Sequence, residues 1–286
     1  MSKGNNSYSA AEIRARLSIS TLVFQGYRPL CEAALEELAE HGICRIELLE
    51  SPDQYDLGDK RCMRLVDQMC RNCGIEVVAY HAYKTSFEGV DSEAQRQERV
   101  ELCCRQLDTL LELGGKFWCS HAGAAAGAVE KSYEEMGRYI EGTDAVIAVE
   151  NFNREGVKIK DRVAFLERLD HPQVGMILDI AHEFDEQGIN PMTVAGAPTA
   201  ILQQCGQRLR HIHLQGYKDG AGHHPPLVEG DEIQWRELFA GLAAINYPGE
   251  FTFEPAGMLA NLETLEYIGR VPERLAALGG NGSEQN

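Results

Sequence analysis

Four polar residues interrupt apolar runs in the second half of this 286-residue chain, and their types are those of a divalent-metal site. Glu150 closes Val146-Ile147-Ala148-Val149-Glu150, and Asp179 closes Met176-Ile177-Leu178-Asp179. His213 stands in His211-Ile212-His213-Leu214, and Glu254 follows Phe251-Thr252-Phe253. Each falls at or near the downstream end of a short β-type run. A charge at the end of a buried strand is costly unless something pairs with it. Converging carboxylates raise one another's pKa unless a cation neutralises them. Three carboxylates and one imidazole suit one divalent ion, Mn²⁺, Mg²⁺ or Co²⁺, with Zn²⁺ also admissible. Any one acid could instead cap a helix or pair with an arginine. Four on consecutive strands favour the ion.

Further ionisable groups mark the earlier runs: Glu47 on the second, His81 on the third and His121 on the fourth. His81 and His121 end adjacent strands, where they could bind substrate, transfer a proton or hold another ion. His182, in Asp179-Ile180-Ala181-His182, lies just past its strand and could hold a substrate hydroxyl. His211 faces the same way as His213 but deeper, so His213 is the better ligand. The loop from Tyr217 to Pro226 is glycine-rich, then stiffened by prolines, and reads as a lid. Asp231 reads first as the cap of the following helix.

The elements that must bring these groups together alternate. β-type runs span Leu17 to Phe24, Cys44 to Leu49, Glu76 to His81, Lys116 to His121, Ala145 to Asn151, Val174 to Ile180, Leu209 to Leu214 and Glu250 to Glu254. Amphipathic stretches lie between them, including Cys31 to His41, Ser92 to Leu113, Asp161 to Leu169, Thr193 to Cys205 and Trp235 to Ile245. Gly42, Gly74 and Gly114 mark helix ends. Eight such units without a composition break predict one α/β domain, a single (β/α)₈ TIM barrel of parallel strands, with its active site at the C-terminal end of the strands. The barrel is expected over residues 15–276, after a polar N-terminal tail at 1–14 and before a flexible C-terminal tail at 277–286. A doubly wound sheet is the alternative, but the first strand is not followed by a glycine-rich fingerprint.

Bulk properties restrict the partners. A net charge of −17 disfavours nucleic acid, which needs a basic face. No apolar stretch is long enough to span a bilayer, and the polar start lacks a signal-peptide core. Nine cysteines without a repeated framework suggest reduced, mostly buried thiols in a cytoplasmic protein.

With these residues assembled, the chain resembles the xylose-isomerase-like TIM-barrel superfamily, the sugar phosphate isomerase and epimerase family, over about residues 15–275. The motifs that carry the resemblance are Val149-Glu150-Asn151, Leu178-Asp179-Ile180-Ala181-His182, His211-Ile212-His213-Leu214, Gly230-Asp231 with Trp235, and Phe253-Glu254. The resemblance implies one metal ion, Mn²⁺ first, on Glu150, Asp179, His213 and Glu254. It implies proton transfer on opposite faces of a keto-sugar or related polyol by Glu150 and Glu254, through an enediolate. His121 is a third catalytic candidate, and His182, His81 and Lys218 are candidate substrate contacts.

Two departures matter. The family's epimerases carry an arginine after the strand-seven histidine, where Lys218 is the nearest cation here. Its apurinic-site endonucleases share His81, His121, Glu150, Asp179, His182, His213 and Glu254, but their Asp-x-His pair is not matched by Asp219 and His223. A lyase of the same fold stays open, by β-elimination on a 3-oxo-glycoside in the manner of C-glycoside deglycosidases, or as an inosose dehydratase. So does a non-catalytic metal-binding subunit. The expected partner is a small sugar or cyclitol, with a homo-oligomer or a small partner subunit also compatible.

Overall fold

Eight parallel strands close into a barrel in chain order: β1 Leu17–Ser20, β2 Arg45–Leu49, β3 Glu76–His81, β4 Phe117–Ser120, β5 Val146–Glu150, β6 Val174–Asp179, β7 Leu209–Leu214 and β8 Phe251–Phe253. β1 pairs with both β2 and β8, which closes the sheet and excludes the doubly wound alternative. This computed structural model describes residues 8–24, 29–50, 55–82, 84–123, 127–152, 157–219, 225–227, 230–256 and 262–281, without the side chains of 262–265 and 281. Among them, no helix is long and apolar enough to cross a membrane.

The outer ring comprises α1 Ala10–Arg16, α2 Glu32–Glu40, α3 Lys60–Asn72, α4 Glu93–Glu112, α5 Gly127–Tyr139, α6 Ile159–Leu169, α7 Ala197–Cys205, α8 Trp235–Ala244, α9 Leu262–Gly269 and α10 Val271–Ala276. α4 shows how the sequence sets these limits. Ser92 Oγ accepts from the Gln95 amide to start it, and Gly114, at φ 76°, turns the chain just after it. Gly42 and Gly74 act alike at φ 77° and 67°.

Several expected boundaries shift for local reasons. The first run stops at Ser20, because Ser20 Oγ accepts from the Leu22 amide at 3.3 Å and Thr21–Phe24 coil into a 3₁₀ turn. The helix expected from Thr193 begins at Ala197, where Gly196 at φ 84° admits a turn that no other residue type adopts easily. Asp231 is not a helix cap. Its carboxylate accepts from the Tyr217 and Ile233 amides and from Trp235 Nε1, bracing the loop, and Gln234 occupies the cap position.

Two segments expected in the tails are helical. Residues 10–14 belong to α1, started by a Ser9–Glu12 capping box and anchored by buried Ile13. A seven-residue helix with one buried residue leaves too little periodicity to be read from sequence. At the other end, Ala277–Asn281 continue α10 as a π-type turn, with Gly279 so close to Phe239 that an added Cβ would lie 2.8 Å from the ring. Residues 1–7 and 282–286 lie outside the described residues. All nine cysteines are free thiols as expected, but only Cys70, Cys103, Cys119 and Cys205 are buried.

The core has two parts, and the division explains the site. One large cluster fills the space between strands and helices. A small one, Val78, Ala79, Phe117, Cys119, Ala148 and Ile177, forms a separate plug. By strand alternation, Ala79 shares its face with His81, Cys119 with His121, Ala148 with Glu150 and Ile177 with Asp179. The plug residues are therefore the floor on which the polar groups stand.

Two register shifts preserve this parity. Ile46 pairs with Val77 but Glu47 with Ala79, leaving Val78 as an extra residue on β3. Met176 pairs with Leu209 but Ile177 with His211, leaving Arg210 as an extra residue on β7. Such bulges re-aim the side chains beyond them. The second depends on Gly175, where a Cβ would fall 2.1 Å from Arg210 Cγ.

Candidate metal centre

His213 is the meeting point of the four expected ligands. Its Nδ1 lies 3.0 Å from Glu254 Oε2, 3.7 Å from Glu150 Oε2 and 3.9 Å from Asp179 Oδ2. Register sets Asp179 directly opposite His213. Asp179 is held by two donors on its own side: the Ala181 amide reaches Oδ1 at 2.7 Å and Gln215 Nε2 at 2.8 Å. Glu150 Oε1 accepts from His182 Nδ1 at 2.6 Å, and its Oε2 accepts from His121 Nε2 at 3.1 Å. Glu254 Oε1 accepts from Ser20 Oγ at 3.2 Å. His81 stands between the two glutamates, its Nδ1 3.4 Å from Glu254 Oε1 and its Nε2 3.6 Å from Glu150 Oε2.

These groups fit a divalent ion. Ligand atoms of Glu150, Asp179 and His213 lie within 4.8 Å of one another, as do those of Glu47, His81, His213 and Glu254, so His213 belongs to both sets. All four expected ligands are buried, and His213 Nδ1 has no hydrogen-bond partner although it faces three carboxylates. Oxygen donors with one imidazole are the set that hard and borderline divalent ions take.

Without a cation, protons balance the charge. Burial alone would push the Glu47 and Glu150 carboxyls up. The surrounding imidazoles, His213, His211 and His81 for Glu47 and His121 and His182 for Glu150, hold both well below the usual range instead. Burial alone would push the histidines down, yet the Glu254 and Glu47 carboxylates raise His81 to about 10. Likewise, Asp179 and Glu150 raise His182 to about 9. His213 is raised well above its ordinary value by Glu254 and Glu47 against the effect of its burial. His211 goes the other way, because burial dominates and keeps it neutral.

The sequence profile of the xylose isomerase-like TIM barrel matches residues 35–271. The chain belongs to this family. No protein with a curated description matches it by sequence. Among solved structures, a D-psicose 3-epimerase from Clostridium cellulolyticum H10, determined with D-tagatose, superposes with TM-score 0.68 at 15% identity, over 92% of this chain and 98% of that one. A 3-keto-D-glucoside 4-epimerase from E. coli gives TM-score 0.66 at 17% identity, over 92% and 98%. A xylose isomerase-like TIM barrel protein from Mycobacterium smegmatis, in complex with magnesium, gives TM-score 0.70 at 15% identity, over 95% and 98%. At these identities the superpositions establish the shared barrel.

Around the centre of this xylose isomerase-like barrel, neighbouring side chains hold the backbone of Glu150, Asp179 and His121. Asn151 donates to Asp179 O at 3.0 Å and accepts from the Asp179 amide at 2.8 Å. Arg162 Nε donates to Glu150 O at 3.0 Å. Thr85 Oγ1 donates to His121 O at 3.1 Å and accepts from the His121 amide at 3.0 Å. Phe152 stacks on the His121 ring, with centroids 4.3 Å apart, and meets His182 edge-on at 5.1 Å. A cavity of about 210 Å³ opens beside His81 and His121, with Glu50, Lys84, Thr85 and Ser86 in its wall.

His81, His121 and His182 are thus gathered with the expected ligands, whereas Lys218 is not. It is exposed, with its ammonium near Gly230. Of the expected lid, residues 220–224 lie outside the described residues. Sequence reasoning gave Gln215 and Thr85 no part and Glu47 no role. Gln215 lies two residues beyond His213 on the same face, a spacing that could have flagged it. Thr85 sits in a loop and carries no such signal.

Proposed function

We propose that this chain is a divalent-metal-dependent isomerase or epimerase of keto-sugars or related polyols, acting by proton abstraction next to a carbonyl. The observation that carries this reading is the approach of two buried carboxylates, Glu150 from β5 and Glu254 from β8, to the same buried nitrogen, Nδ1 of His213. The epimerase activities of two structural neighbours support the same class of substrate.

Glu150, Asp179, His213 and Glu254 would hold the ion. When bound, Mn²⁺ or a similar ion supplies Lewis-acid polarisation of a substrate carbonyl and its neighbouring hydroxyl. Asp179, braced by Gln215 and Ala181, serves as a fixed ligand with no proton to move. Glu150 and Glu254 reach the centre from different strands. One glutamate, as the carboxylate, takes the proton from the carbon beside the carbonyl, leaving an enediolate, and the other, entering the cycle protonated, gives its own proton to the opposite face. His182, fixed to Glu150, and His81, between the two glutamates, are placed to hold substrate hydroxyls. The buried setting keeps bulk water from the exposed carbanion.

A second reading keeps the proton abstraction and changes the outcome. His121 is the histidine of the cluster that reaches solvent, its side chain 30% exposed, while touching Glu150. It could protonate a group leaving from the β-carbon, giving a lyase on an oxidised glycoside or cyclitol. Incubation with keto-sugars and 3-oxo-glycosides in D₂O with Mn²⁺ decides between them. Deuterium at the carbon beside the carbonyl, without fragment release, identifies isomerisation or epimerisation. Loss of water or an aglycone identifies elimination. No exchange and no product with any keto-sugar or oxo-glycoside would sink both. A small-molecule partner in place of nucleic acid belongs to the same proposal, supported by the net charge of −17, and so does a cytoplasmic location, supported by the free thiols.

A further inference from the structure

Glu47 lies outside the proposed ligand set, yet it is the most heavily engaged carboxylate beneath the centre. It is fully buried in the middle of β2. Its Oε2 is 2.9 Å from His211 Nε2, 3.3 Å from His213 Nε2 and 3.5 Å from Cys119 Sγ. Its Oε1 has no hydrogen-bond partner and lies 3.4 Å from His81 Nδ1. Below it the chain of polar groups continues, from His211 to Thr252 Oγ1 at 2.9 Å and on to Ser18 Oγ at 2.7 Å. The His211 ring itself is stacked on Phe117 with centroids 4.7 Å apart.

An imidazole can present either nitrogen to an ion, and the partner of the other nitrogen decides which. In His213, Nε2 faces Glu47 while Nδ1 faces Glu254, Glu150 and Asp179. We propose that Glu47 is a positioning residue that holds the proton of His213 on Nε2, commits Nδ1 to the metal ion, and thereby sets the ion's affinity. This rests on the metal-site reading above. The bulge that leaves Val78 unpaired beside Glu47 belongs to the same device, since it sets the register of Glu47 against β3.

Glu47→Gln and Glu47→Leu test it, with Mn²⁺ binding measured by calorimetry on the metal-stripped full chain. Glu47→Gln keeps an oxygen that can accept from Nε2 and loses the charge, so Mn²⁺ binding should weaken about tenfold. Glu47→Leu removes the acceptor and should weaken it about a hundredfold, the span typical of such outer partners. Imidazole ¹⁵N shifts of the Mg²⁺-loaded protein give a readout that a purely structural role would not move. Wild type should show His213 protonated at Nε2, and Glu47→Leu a mixture of tautomers. Should the leucine variant fail to fold, Glu47→Gln and the wild-type tautomer carry the test. A wild-type His213 protonated at Nδ1, or affinity in Glu47→Gln within twofold of wild type, overturns the positioning role. Complete loss of binding in Glu47→Gln, equal to that in Glu150→Gln, also overturns it by making Glu47 a ligand. Absence of Mn²⁺ binding to wild type refutes the metal site itself, a result distinct from either.

Discussion

Asp179→Asn separates metal binding from folding, because the structure compensates the change locally. Asp179 Oδ1 accepts from the Ala181 amide at 2.7 Å, and both carboxylate oxygens accept from Gln215 Nε2, at 2.8 and 3.0 Å. An asparagine retains one oxygen for Ala181. Its new amide would face another amide, but Gln215 Oε1 has no partner and can rotate in to accept from it. The hydrogen-bond count is preserved, so the metal-free variant loses chiefly the charge beside His182, a cost of about 1–2 kcal/mol. The variant loses the carboxylate that is 3.9 Å from His213 Nδ1. An ion present at a hundred times its Kd stabilises a protein by about 2.7 kcal/mol. For a barrel of this size, that is a rise in Tm of roughly 4–5 °C. Thermal melts should therefore show wild type rising by that amount from EDTA to saturating Mn²⁺. Asp179→Asn should start within a few degrees of wild type and rise far less at the same Mn²⁺ concentration. An undiminished rise in the variant would remove Asp179 from the ligand set. A wild type indifferent to both EDTA and Mn²⁺ would remove the metal.

Other predictions concern the proton-moving groups and their supports. Glu150→Gln and Glu254→Gln should each abolish turnover on the keto-sugar that wild type converts, and full rates in both would exclude the two-carboxylate scheme. Thr85→Val removes both hydrogen bonds to the His121 backbone, so kcat should fall by roughly tenfold, about 1.4 kcal/mol. If His121 acts in the reaction, an unchanged kcat is not expected. In EDTA, stability should decline as pH rises. His81 and His182 are raised to about 10 and about 9 in the folded protein, so their contribution is complete below about pH 6.5 and is lost through pH 9–10. Urea unfolding of the metal-free protein across this range measures it, and stability that holds or grows up to pH 10 contradicts the charge balance described here.

The barrel was legible because strand and helix periodicities alternate eight times, and strands buried on both faces leave long apolar runs that a single charge conspicuously interrupts. Glu150, Asp179, His213 and Glu254 stood out for that reason, and the structure brings all four to one place. Glu47 interrupts β2 in the same way, but sequence offers no way to tell a group at the mouth from one a layer below. That depth depends on strand stagger and on the unpaired Val78. Helix α1 was missed because one buried residue makes no pattern, and its anchors are distant in the chain, as in Arg14 to Gly269 O at 3.1 Å.

Residue type and spacing alone thus determined the architecture, the chemistry of the donors and their place on consecutive strands, since these follow from local periodicity and the cost of burying charge. Only the tertiary structure decided which nitrogen of His213 faces which carboxylate, that Glu47 and Gln215 contact His213 and Asp179, and that Lys218 stays outside. Those outcomes depend on bulges and register, where one extra residue such as Arg210, admitted by the missing side chain of Gly175, turns every following side chain to the other face.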